Sequence, residues 1–419
     1  MAHSSPSSAR QEQVHLGVLA PKLVVLGSLL AVLGLGTGVG LWVTHVVDTK
    51  AFFHAYLLAV VYFIVISLGA LFFVALQHLT RAGWSVSVRR LAELVAASLP
   101  VLMVFMVPVL VLIWQHNGAL HVWADPHYMA HEEALQKKAG YFAVNFFIAR
   151  FAIYAAAWAF LSRYFLGRST RQDTEGDLGI SYQMQWVAAP AIAVFALTMT
   201  FFVFDFIMSL EPAFYSTVFG VYVFAGAFMS INSLLVLMAK GLQSRGILGR
   251  SVHTEHFHDL GKMMFGFVFF WGYIGFSQYM LIWYGNIPEE TQFFMLRQTG
   301  DWTVVSLALL IGHLLLPFPG LLSKHVKRKG KVLVAWALWL LAMEYLDLYW
   351  LIMPSGALAQ GPEGHMVVAH GPRFGLLEIS LWAGMAGVFL VQFALRAKRY
   401  PLRPIKDPRL EESLAFENA

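Results

Sequence analysis

Ten stretches of this chain are each long and apolar enough to cross a lipid bilayer. They run at about 20–44, 52–77, 91–115, 140–165, 185–210, 213–239, 259–284, 301–323, 331–354 and 374–396. A hydrocarbon core takes roughly 20 residues of helix. A barrel strand would be shorter and alternating in polarity, and no stretch reads that way. The expected fold is all-α and integral to the membrane, with about ten transmembrane helices. Only 13% of the residues are charged, against roughly 25% in a soluble domain. Lipid therefore replaces water around most of the surface.

Lysine and arginine set the expected orientation. With the N-terminus inside, Lys50, Lys137, Lys138, Arg297 and Arg373 fall outside and Arg150 lies within a span. The remaining 23 of the 29 basic residues are then cytoplasmic, as the positive-inside rule requires. The pI near 9.2 reflects this placement and not a nucleic-acid surface. Residues 1–19 read as a cytoplasmic tail and not a cleavable signal, 20–396 as the membrane domain, and 397–419 as a second cytoplasmic tail. Basic residues of that second tail suit contact with anionic lipid.

The sequence has no cysteine. Disulfides, iron–sulfur ligation, covalent c-type haem and thiolate catalysis are thereby excluded. His54 and His78 share a span but sit at opposite faces, and His313 has no matched partner, so a bis-histidine haem is not expected. The outer segment 116–139 carries His116, His121, His127 and His131. Their spacing fits no compact zinc pattern, so they read as belonging to a surface loop or one covered by a partner. Gly34, Gly36, Gly38 and Gly40 lie inside a span and read as small-xxx-small helix packing.

Charge inside a span costs roughly 2.5–3.5 kcal/mol on insertion scales, so each such residue needs a reason. Arg150 lies near mid-depth of the fourth span, Glu344 near mid-depth of the ninth, and Asp347 one turn further out. Asp205 lies in the outer part of the fifth span and His313 near the middle of the eighth. His78 and Glu93 lie towards the cytoplasm, as does Lys262. Gln278, Tyr284, Glu211 and Glu378 lie towards the outside. Two readings stay open. One is a set of structural ion pairs, such as Arg150 with Asp205. The other is a proton pathway through Asp205, His313, Glu344, Asp347, Arg150, His78 and Glu93. Carboxylic acids and histidine suit proton hopping because each holds or releases a proton at modest cost. Trp271, Tyr273, Tyr279 and Trp283 read first as packing and second as a quinone wall. Pro100, Pro108, Pro190, Pro317 and Pro319 read as kinks that free backbone carbonyls.

Four stretches carry a family resemblance: LFFVALQHLTRAGWSVSVRR at 71–90, FDFIMSLEPAFYSTVFGVYVFAG at 204–226, HDLGKMMFGFVFFWGYIGFSQYMLIWYGNIPEET at 258–291 and EYLDLYWLIMP at 344–354. Together, over about residues 50–400, the chain resembles the ActF-type membrane subunits of bacterial alternative complex III, a quinol:cytochrome c or electron-acceptor oxidoreductase. These subunits are similar to the NrfD-like membrane subunits of polysulfide-reductase-type enzymes. The resemblance implies two four-helix bundles, about 52–210 and 213–354, with two flanking helices, in the bacterial cytoplasmic membrane. It implies no cofactor held by this chain alone, with quinone as a candidate ligand and haem c and iron–sulfur clusters on partners. Those partners would be an ActC-type membrane subunit, an iron–sulfur subunit and c-type cytochromes, with a terminal oxidase as a further neighbour. Asp205 and Asp347 carry over as buried polar positions, and Glu344 less directly. The alternatives are a quinol-oxidising anchor of a polysulfide-reductase-type enzyme and, from a different class, a secondary transporter.

Overall fold

Length and hydropathy of the helices decide the architecture. The computed structural model describes residues 12–131, 133–360, 366–368 and 370–418. Ten helices in it are long and apolar enough to cross a membrane. They are α1 (Leu19–Val43), α2 (Thr49–Leu79), α3 (Val86–Trp114), α4 (Val144–Glu175) and α5 (Leu178–Leu210), then α6 (Phe219–Gln243), α7 (Thr254–Gly285), α8 (Trp302–Leu322), α9 (Gly330–Gly356) and α10 (Leu376–Ala397). This is a multi-pass membrane protein. A short antiparallel hairpin, Leu358–Gln360 with Met366–Val368, joins α9 to α10.

Burial ranks the helices. The apolar window of α2 is 94% buried and that of α6 is 72%, whereas that of α1 is only 17%. α2 and α6 pack on each other and form the axis of the molecule, with α3, α5, α9 and α10 against α2 and α7 and α9 against α6. Large apolar side chains such as Leu33, Phe160, Trp186 and Phe276 are exposed on the peripheral helices. In water such a surface would be costly, and lipid accounts for it.

α1 stands apart from this axis and pairs with α10. Gly34 makes the pairing possible, because a Cβ there would run into the backbone of Ser380 and Gly384. Gly34 and Gly38 form the seam, while Gly36 and Gly40 face open space. Of the two pairs in the glycine stripe, one packs within the chain.

Proline acts differently at each site. α3 is broken into Val86–Ala96, Leu99–Val104 and Val107–Trp114, with Pro100 and Pro108 opening the second and third pieces. The Tyr56 hydroxyl donates to the Phe105 carbonyl at 2.6 Å beside the second break. Pro190 is absorbed within α5 without a break. α8 contains a π-helical turn, Leu310–Leu315, just before Pro317.

The described segments before α1 and after α10 lie on one face. The Leu402 N–H donates to the Val14 carbonyl at 2.8 Å, and Arg403 faces Glu12 at 3.7 Å. The C-terminal segment then runs under α3 and α7, where Ser413 meets Ser87 and His256.

Candidate functional site

The buried ionisable residues fall into separate groups, each with a different chemistry. Asp205 belongs to the most saturated one. Arg150 donates to both of its oxygens at 2.9 Å, and the Tyr141 and Tyr154 hydroxyls donate at 2.7 Å each. The guanidinium also donates to the Tyr141 carbonyl and lies 4.0 Å from that ring's centroid. Four donors, two from a guanidinium and two phenolic, occupy the acceptor sites of this carboxyl group and fix it in place. This geometry favours the structural ion pair over a proton-carrying role for Asp205 and Arg150.

Glu344, Asp347 and His313 come together in a second group, between α6, α7, α8 and α9. All three are at most 2% exposed. Asp347 meets aromatic donors where Asp205 meets a cation: the Trp271 indole N–H donates to Oδ2 at 3.1 Å and the Tyr222 hydroxyl donates to Oδ1. The Trp271 ring stacks on the His313 imidazole, with centroids 3.9 Å apart. His313 Nε2 lies 3.2 Å from the Met229 sulfur, and its Nδ1 has no hydrogen-bond partner.

Glu344 sits one turn before Asp347 and within electrostatic reach of it. Its carboxylate lies against Gly226 of α6, where any Cβ would collide with it. Its Oε2 is buried without a partner. Such a buried, unpaired polar atom is uncommon and marks a place where a proton or a water belongs. The π-helical turn carries His313, and such turns occur often at functional sites. There the Trp339 indole donates to the Gly312 carbonyl at 2.7 Å.

Tyr222 and Trp271 were not singled out from sequence as donors. The signal lay in their depth: an indole N–H or phenol in mid-membrane needs an acceptor, and the nearest acids in register were on α9.

Glu93 and His78 belong to the face that carries the termini. Glu93 accepts from Arg90 at 2.9 Å and faces Arg89 at 3.4 Å. Arg90 also meets Asp173 at 2.9 Å, and Arg89 meets Asp407. Two cations and three acids make a closed network that ties α3 to α4 and to the C-terminal segment. His78 stacks near Phe165, 5.6 Å between centroids, and joins no acid among the described residues. Glu378 caps α10 by accepting from the Gly375 N–H at 2.8 Å. Lys262 pairs with Asp259 at 2.7 Å, and Tyr284 is exposed.

The 116–139 segment is only partly a surface loop. His121 is fully buried against Trp123, Phe147 and Phe206. The aromatic residues around it fold the segment back onto α4 and α5. Among the described residues no three histidines or acids come together as a metal site.

Neither the protein-family models nor the curated protein sequences include a match to this chain.

Proposed function

We propose that this chain is a proton-handling membrane subunit of a quinol oxidoreductase of the alternative complex III type, in a bacterial cytoplasmic membrane with both termini in the cytoplasm. The observation that carries the proton reading is the Glu344–Asp347–His313 group. Both acids are at most 2% exposed and, among the described residues, neither pairs with a cation; Asp347 accepts from Trp271 and Tyr222, while Glu344 Oε2 and His313 Nδ1 are unpartnered. A proton on either acid can exchange with its neighbours without breaking an ion pair. The assignment to an oxidoreductase rests on the four resembling stretches. The absence of cysteine agrees with it, since iron–sulfur clusters and covalent haem then belong to other subunits.

A quinone is the implied ligand, and one cleft has the composition for it. A cavity of about 630 Å³ opens between α1, α2 and α3. Trp42 and Phe52, stacked at 4.8 Å, line it with Tyr56 and Phe105, and Gln115 and Asn117 edge it. An aromatic slot with a few amide groups fits a flat ring bearing carbonyls. Gln115 and Asn117 would hold such a head group, which when bound supplies electrons and protons.

Two measurements test this reading. A tag on this chain should bring down iron–sulfur and multihaem cytochrome subunits from membranes. A lone molybdopterin subunit would favour the polysulfide-reductase-type anchor, and solute uptake by the isolated chain would favour a transporter. Asp347→Asn should lower the protons released per electron without loss of assembly. An unchanged ratio would sink the relay.

A further inference from the structure

On the side away from the termini, Asp347 is followed by an arginine that is completely buried. Arg297 closes a short helix, Pro288–Arg297, in the connection between α7 and α8. Its guanidinium donates to the carbonyls of Phe293, Trp350 and Leu351 at 2.9–3.0 Å and to Glu211 Oε1 at 2.7 Å. The Trp350 carbonyl is available because Pro354, four residues on, has no N–H to offer it. Arg297 therefore grips α9 one turn beyond Asp347, and the Tyr222 phenol lies within its electrostatic reach. Burial holds the Arg297 guanidinium below its usual range, against the pull of Glu211.

Glu211 has a second face. It lines a cavity of about 160 Å³ bounded also by Lys50, Tyr128, Glu289, Gln292 and Ser355. That volume is large enough to admit water beside its polar groups. Polar groups thus continue from Glu344 through Asp347, Tyr222 and the Arg297–Glu211 pair to this cavity, on the side away from the termini.

We propose that Glu211 is the outward proton-release group of this chain and that Arg297 is its positioning residue. The inference rests on the proton reading of the Glu344–Asp347 group. Asp347 loses a proton and Glu211, a carboxylate on Arg297, gains one by way of the Tyr222 hydroxyl and intervening water. Glu211 then returns to the carboxylate by giving the proton to cavity water. Arg297 keeps its own proton throughout. Its fixed charge draws Glu211 back to the anion and repels protons returning from outside.

The absence of cysteine makes the test direct. The full chain is reconstituted in phosphatidylcholine–phosphatidylglycerol vesicles with a trapped pH dye, and flux is driven by a potassium diffusion potential. Glu211→Gln should cut proton flux at least tenfold, as should Asp347→Asn. Ala213→Cys, on the cavity wall, should react with an impermeant cationic thiol reagent from the outer face only, and the reaction should block flux. If Asp347→Asn blocks flux while Glu211→Gln and modified Ala213→Cys conduct like the parent, release occurs elsewhere and the acid-pair relay stands. If Asp347→Asn conducts normally, or the unsubstituted chain carries no flux, the proton reading fails and this proposal fails with it. Glu211→Gln leaves Arg297 without its counter-charge, so where that variant does not fold the thiol arm decides.

Discussion

Asp205 and Glu344 look alike in sequence, each an acid within an apolar helix, yet their surroundings give opposite expectations. Asp205→Asn leaves the Arg150 guanidinium buried beside a neutral amide, and breaking such a pair costs about 3–5 kcal/mol. Glu344→Gln removes no cation's partner and keeps the shape that Gly226 accommodates. Thermal unfolding in detergent should therefore show a large drop for Asp205→Asn and little change for Glu344→Gln. Equal drops would mean that Glu344 also holds the fold together. The Arg150–Asp205 pair was readable from charge and depth alone. Tyr141 and Tyr154 were not, because 15% of the chain is aromatic and nothing local distinguishes a donor from a packing ring. His121 makes a further residue-scale case. Burial, with His54 nearby as a smaller effect, pushes its imidazole from 6.5 down to about 3. The folded state thus favours the neutral ring more than the unfolded chain does. That stability is complete above about 6.5 and is lost as pH falls towards 3. His121→Phe should flatten the fall in unfolding temperature between those values, and an unaltered pH profile would show that His121 does not titrate there.

At the scale of elements, the helices were legible and their joints were only partly so. Apolar length marks a span without any partner, whereas the role of a proline or glycine depends on what lies opposite. Pro108 opens a helical piece just after the break beside Tyr56, while Pro190 sits inside an unbroken α5. The glycine stripe in α1 shows the same dependence. Gly34 touches the backbone of α10 and Gly36 touches nothing, although both fit the small-residue pattern. Gly34→Leu should separate α1 from α10 and cost at least the 1–3 kcal/mol typical of overpacking, or about that range if the seam opens partway. Gly36→Leu should stay within about 0.5 kcal/mol, as surface substitutions do. Unfolding temperatures of the two variants, measured side by side, check this. A comparable loss from Gly36→Leu would reveal a second helix seated on that face.

At the scale of the whole molecule, an even number of candidate spans among the described residues and the contact between Val14 and Leu402 agree that the segments flanking α1 and α10 share one face. The charge asymmetry that predicts a cytoplasmic location was visible in sequence. The strap formed by the C-terminal segment was not, because its partners lie between 156 and 329 residues away in the chain. Asp407 meets Arg89, and Ser413 bridges Ser87, Trp84 and His256. Asn418 reaches Lys262 and Glu255. Removing residues 404–419 takes one acid from the Arg89–Arg90–Glu93 network and opens the underside of α3 and α7. Arg89 then keeps only the longer contact to Glu93, so the loss should resemble a broken buried pair, about 3–5 kcal/mol. Reporter fusions at both ends should register the cytoplasm in the full chain and in the truncated one, because the basic loops that set orientation remain. A truncation that changed topology and not stability would mean that the segment acts during insertion. A truncation that changed neither would mean that the network closes on Glu93 and Asp173 alone.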